Sequence, residues 1–151
     1  MPRKKKTRGE LVAAEAREWI KTPFAWQQSQ KGRGCDCKGL LWGVARELGF
    51  PEAESLYAKV ADYSPDRPVP SALLKEGMAA IFDPVGDMRP GDVLLLRVTR
   101  RGPVGHIAIV SSDDSAIHAQ IGSKDWVKET KLRALLAVCP LVSIWRWRDG
   151  R

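Results

Sequence analysis

No apolar run in the 151 residues approaches the ~18–20 that a membrane-crossing helix needs, so no span is expected. The basic start, Arg3 to Arg8, lacks the apolar core of a secretory signal. The next stretch, Gly9 to Glu18, reads as a charged amphipathic helix, and export by the usual secretory route is not expected. Cysteine is scarce, with three residues (Cys35, Cys37 and Cys139), an odd number with no repeated spacing. That argues against a disulfide scaffold and for reduced thiols, in keeping with synthesis in the cytoplasm. Histidine is scarcer still, with two residues, His106 and His118. Beyond the basic start there is no internal repeat and no low-complexity stretch.

What is present describes a globular domain. Hydrophobic residues make up 44% and charged residues 28%, with six tryptophans spread along the chain, and the length suits one domain. The expected division is a basic flexible tail over residues 1–8 and a single domain over 9–151. The net charge is +7, and five of the positive charges fall at residues 3, 4, 5, 6 and 8. A basic surface attracts polyanions of every kind, including nucleic acid, acidic membranes and anionic wall polymers. A solvated tail explains the same charge, so charge alone assigns no partner.

Apolar periodicity predicts a helix over 9–20, closed by Pro23, and a second helix from Asp36 or Cys37 with Leu40, Leu41, Val44 and Leu48 on its inner face. Gly49 and Pro51 suit its end. A short helix fits 71–80 in a proline-rich stretch. After Pro90-Gly91 the period changes. Val93–Leu96, His106–Val110, Ala116–Ala119, Trp126–Lys128 and Leu141–Trp145 read as short strands between turns. Helices first and strands later predict an α+β fold with N-terminal helices packed on an antiparallel β-sheet.

Gly34-Cys35-Asp36-Cys37-Lys38-Gly39 puts a thiol in the first turn of the second helix, where the free N–H groups and the helix dipole favour thiolate. Asp36 suits the N-cap, Gly39 is expected to leave room beside the sulfur, and Cys35 falls in the preceding loop. Position therefore selects Cys37 over Cys35. A hairpin centred on Ser112 would set His106 directly opposite His118, with Cβ atoms ~4.5–5.5 Å apart. Another turn length would make them diagonal or turn them to opposite faces. Thiol, base and orienting group form the set that acyl transfer needs, with Cys37 as nucleophile, His106 as base and His118 fixing the tautomer. The Cys37 N–H is a candidate oxyanion donor, with Gln28 or Gln30 as a second.

Thr22-Pro23-Phe24-Ala25-Trp26 and Cys35-Asp36-Cys37-Lys38-Gly39-Leu40, then Arg89-Pro90-Gly91-Asp92-Val93, Gly105-His106-Ile107-Ala108-Ile109-Val110 and Ile117-His118-Ala119, together resemble the papain-like NlpC-type cell-wall peptidases. The resemblance runs over about residues 20–130. It implies the papain-like NlpC-type fold, a Cys37-His106-His118 triad, no cofactor, and peptidoglycan stem peptides as substrate, cut at the γ-D-glutamyl bond to diaminopimelate or Lys. The Asp-Cys-x-Gly-Leu motif looks most like members carried by phages and gene-transfer agents. That implies phage tail-tip proteins as partners and delivery to the cell wall in a phage-like particle. Lys38 stands where the family usually has a small or apolar residue and is expected to place a cation beside the sulfur. Phe24 replaces a frequent Tyr, and Cys35 is an extra thiol able to trap Cys37 on oxidation.

Three other readings fit parts of the same sequence. A metal-binding module would use Cys35, Cys37, His106 and His118. An inactive basic virion protein binding nucleic acid or serving structurally would use Trp145 and Trp147 alternating with Arg146 and Arg148, although an amphipathic final strand, with Trp inward and Arg outward, explains that pattern with no nucleic acid. An amidase or acyltransferase would keep the thiol chemistry on the same fold.

Overall fold

The computed structural model describes residues 4–60, 70–120 and 126–148. The first helix, α1 (Arg8–Arg17), opens at Thr7, whose extended backbone and hydroxyl accepting from the Glu10 N–H make an N-cap. Arg8 does not belong to a tail. Its guanidinium pairs with both carboxylate oxygens of Glu52, at 2.5 and 2.9 Å, and lies over the Phe50 ring. The expected tail therefore ends before this residue, and residues 1–3 lie outside the described ones.

The helical layer continues through a small hairpin, β1 (Ser29–Gln30) with β2 (Gly34–Cys35), into α2 (Cys37–Glu47), α3 (Glu52–Val60) and α4 (Ser71–Ile81). Gly49 follows α2 with a left-handed φ of 70°, the conformation that ends a helix at low cost only in glycine. The sheet comprises β3 (Phe82–Val85), β4 (Val93–Arg97), β5 (Val104–Ser112), β6 (Ser115–Ala119), β7 (Val127–Lys131) and β8 (Leu141–Trp147), in the order β3-β8-β4-β5-β6-β7. Every pairing is antiparallel. A short helix, α5 (Leu132–Val138), joins β7 to β8.

The sheet is covered on both faces. Val93, Leu95, Ile107, Ile109, Ile117 and Val127 pack against Val12, Trp19, Leu40 and Val44 of the helical layer. Leu94, Leu96, Ala108, Val110 and Ala116 pack beneath Leu132 and Leu135 of α5. A strand buried on both faces carries an unbroken apolar run in place of alternation, which is why Val93-Leu94-Leu95-Leu96 reads as it does. On β8 alternation returns, with Trp145 and Trp147 buried. Arg146 donates from Nε and Nη2 to the two oxygens of buried Asp92, at 2.9 and 2.8 Å. Arg148 bonds Asp83 and the carbonyls of Ala79, Ala80 and Phe82. These arginines hold the fold together; they do not form a ladder open to phosphate.

The α+β expectation holds, and α2 begins where the thiol argument needs it. Sequence periodicity leaves α3, β3 and α5 unassigned. Pro84 obscures β3, yet the strand sits at the sheet edge, where a proline without an N–H is tolerated. Among the described residues no helix is long and apolar enough to cross a membrane.

Candidate active site

Cys37 is the first residue of α2. Asp36, fully buried, caps the helix by accepting from the Gly39 N–H at 2.7 Å, and its other oxygen accepts from the Gln27 N–H at 2.7 Å. One carboxylate thus fixes both the helix start and the loop beside it, where Gln27 holds a left-handed φ of 59°. Gly39 was expected to leave room beside the sulfur, but the room its missing Cβ makes is taken by the Gln28 loop. A Cβ there would meet the Gln28 carbonyl oxygen at 1.9 Å, so the missing side chain lets that loop cross the helix closely. The Cys37 thiol reaches the backbone of β5, with Sγ 3.7 Å from the Gly105 carbonyl oxygen, one residue before His106.

His106 and His118 meet, by a register other than the one expected. The turn is two residues long, with Ser112 opposite Ser115, and Ser111 bulges so that Val110 pairs with Ala116 and Ile109 with Ile117. Continued by one step, this sets Ala108 opposite His118 and leaves His106 diagonal to it. Without the bulge His118 would face Ile109, and the imidazoles would point to opposite faces. The bulge is held on both sides: the Ser111 hydroxyl donates to Glu129 and its carbonyl accepts from Arg17. Diagonal neighbours are within reach for long side chains. His106 Nε2 lies 3.0 Å from His118 Nδ1, with the rings nearly perpendicular.

Cys37 and His106 line one cleft of about 180 Å³ with Phe24, Trp26, Val98, Gly105, Ala119 and Gln120. Phe24 and Trp26 meet edge to face, with centroids 5.0 Å apart. The helix terminus does not make Cys37 a resting thiolate. Burial pushes the thiol up to about 11 and Asp36 adds to the rise, while the Lys38 charge and the N–H groups of Ile107 and Lys38 offset part of it. Burial likewise lowers His106 to about 4. His118 falls to about 3 through burial, then through His106 and Lys128. At neutral pH the site therefore holds a neutral thiol beside neutral imidazoles.

Lys38 is largely buried; burial lowers its pKa, and Cys37 and Asp36 pull it back up. Gln28 and Gln30 do not line the cleft. The Gln28 side-chain oxygen lies against Gly34, and Gln30 is an exposed residue of β1. Gln120 occupies the cleft instead, and the alternation past His118 was the available signal for it. Cys35 lies in β2, fully buried in the core, not in a loop. The metal reading needed Cys35, Cys37, His106 and His118 to converge. Cys35 is in the core and both His118 nitrogens have partners, the second being Thr130 Oγ1 at 2.9 Å. Among the described residues no three His, Cys, Asp or Glu side chains gather as a metal site.

No family model matches the chain, and no curated protein sequence does. Solved structures do match. NlpC2 of Trichomonas vaginalis superposes with a TM-score of 0.68 at 18% identity over 97% of this chain and 49% of the other. The chain thus spans about half the length of that protein. The NlpC/p60 domain of the peptidoglycan hydrolase SagA gives 0.58 at 20% identity, covering 91% of this chain and 97% of that domain. The P60 domain of an antigen from M. avium subspecies paratuberculosis gives 0.54 at 18%, covering 91% and 93%. The fold is the papain-like one of NlpC/P60 domains.

Proposed function

We propose that the chain is a cysteine peptidase that hydrolyses peptidoglycan stem peptides, with Cys37 as nucleophile, His106 as base and His118 as the group that orients it. The observation that carries this reading is one cleft holding a helix-start thiol and an imidazole whose far nitrogen is bound by a second imidazole. The SagA domain, part of a peptidoglycan hydrolase, supports the choice of substrate.

His106 Nε2 is turned to His118, which leaves Nδ1 to take the Cys37 proton as Sγ attacks the scissile carbonyl. Because thiol and imidazole both rest neutral, the thiol proton has to pass to His106 for Sγ to attack. The oxyanion receives the Cys37 N–H at the helix start. As the C–N bond breaks, His106 returns the proton to the leaving amine. Water then adds to the thioester, giving up its proton to His106, and the thiol is restored as the acid leaves. Within this proposal the bond is the γ-D-glutamyl link to diaminopimelate, and the setting is a phage-like particle that opens the wall locally. The family resemblance over residues 20–130 supports the bond, and its Asp36-Cys37-Lys38-Gly39-Leu40 motif supports the setting.

Digestion of purified peptidoglycan provides the test. The native chain releases cut stem peptides, Cys37→Ala releases none, and Cys35→Ala keeps most activity. Mass analysis of the fragments identifies the bond. Equal release by the Cys37 variant would overturn the assignment.

A further inference from the structure

His118 uses both ring nitrogens, Nδ1 toward His106 at 3.0 Å and Nε2 toward Thr130 Oγ1 at 2.9 Å. The second contact repeats the geometry of the first. Lys128 pairs with His118 and Thr130 with Ala116, so Thr130 stands diagonal to His118 on the same face of β7. A polar row therefore crosses β5, β6 and β7 through residues 106, 118 and 130, each 12 positions after the last.

A neutral imidazole carries one proton, so the row has one of two polarities. In the first, the Thr130 hydroxyl accepts from His118 Nε2–H, His118 Nδ1 accepts from His106 Nε2–H, and His106 Nδ1 is bare. In the second, the hydroxyl donates, His118 Nδ1–H donates to His106, and His106 keeps its proton on Nδ1, where it cannot take one from Cys37. Once His106 has become imidazolium the ambiguity ends. Both its nitrogens then carry protons, so His118 Nδ1 must accept, its own proton must sit on Nε2, and Thr130 must accept that in turn. The first polarity is thus the one in which the row needs no rearrangement when charge develops.

We propose that Thr130 is a positioning residue whose hydroxyl accepts from His118 and so holds His106 with Nδ1 bare toward the cleft. The proposal rests on the cysteine-peptidase reading for its purpose, but the tautomer it assigns is measurable without turnover. Thr130→Val keeps the shape and removes the acceptor; Thr130→Ser restores it.

The test is ¹⁵N NMR of the imidazoles in the full chain, alongside kinetics on purified stem peptide. In the native chain His118 is expected to be the Nε2–H form. Thr130→Val loses that preference and lowers kcat about tenfold or more, part of the ~10²–10⁴ that a positioned base supplies, with KM nearly unchanged. Its acid limb moves to lower pH, because the imidazolium has lost a supporting partner. Thr130→Ser recovers tautomer, kcat and limb together, which a packing defect would not require. A native His118 protonated on Nδ1 overturns the proposal, as does a Val variant with native tautomer and native kcat. A native chain that shows the assigned tautomer but cuts no wall peptide keeps the positioning role and sinks the peptidase reading.

Discussion

At the scale of single residues, burial sets the character of the site more than the helix terminus does. Cys37 rises to about 11 and His106 falls to about 4, each with burial as the leading cause. In the proposed reaction the working pair is the neutral one, so His106 must be deprotonated and Cys37 protonated before attack. The expected kcat/KM on a soluble stem peptide rises as pH climbs through about 4, then holds a plateau across neutrality. An acid limb near the ordinary imidazole value of about 6.5 would show that His106 works solvated. The place of Cys37 at the helix start was legible, because an N-cap aspartate and a thiol one residue later carry their own geometry. The resting protonation was not, since burial comes from residues far away in the chain. Gln28 and Gln30 were misplaced for a related reason: a polar side chain near a nucleophile in sequence says nothing about which way its loop turns.

At the scale of elements, α2 lies so close to the preceding loop that one glycine governs both. Gly39→Ala would set a Cβ 1.9 Å from the Gln28 carbonyl, a backbone atom that moves only with the loop carrying Phe24 and Trp26. The expected loss is about 1–3 kcal/mol of stability, read as a lower urea midpoint at unchanged slope, together with reduced turnover as the cleft wall shifts. A variant as stable and as active as the native chain would show that the loop yields freely. The sequence reading found α1, α2, α4 and five of the sheet strands because each has a one-sided or two-sided apolar pattern. It placed the hairpin's histidines on one face but not at the right step. A bulge has no apolar signature; Ser111 is bulged by Glu129 and Arg17, two residues from other elements.

At the scale of the whole molecule, the far end of the sheet is tied by charge. Asp92, 1% exposed, takes both nitrogens offered by Arg146 on β8 and also the Arg89 N–H, joining β8 to the turn before β4. Asp92→Ala takes two bonds from a guanidinium that keeps Asp87 as partner, and the expected cost is about 1–3 kcal/mol. For a chain of this size that corresponds to a Tm lower by about 2–4 °C for each kcal/mol. Asp92 does not line the cleft, so activity per folded molecule is expected to survive. A Tm within 2 °C of the native value, the lower end of what about 1 kcal/mol would produce, would remove this pair from the account of stability. This buried pair was hidden in the sequence, where Asp92 and Arg146 stand 54 positions apart.

The bulge at Ser111 bears on how such a chain can drift. Exposed turns ordinarily absorb gained or lost residues, and Asp113 at this tip is exposed. The interval between His106 and His118 is a different matter, because its parity decides which side of the sheet the second imidazole occupies. Selection on the hairpin would therefore act on its length, and on Asp114, which bonds Ser112, Ser115 and Lys131, so that the turn behaves as a counted spacer.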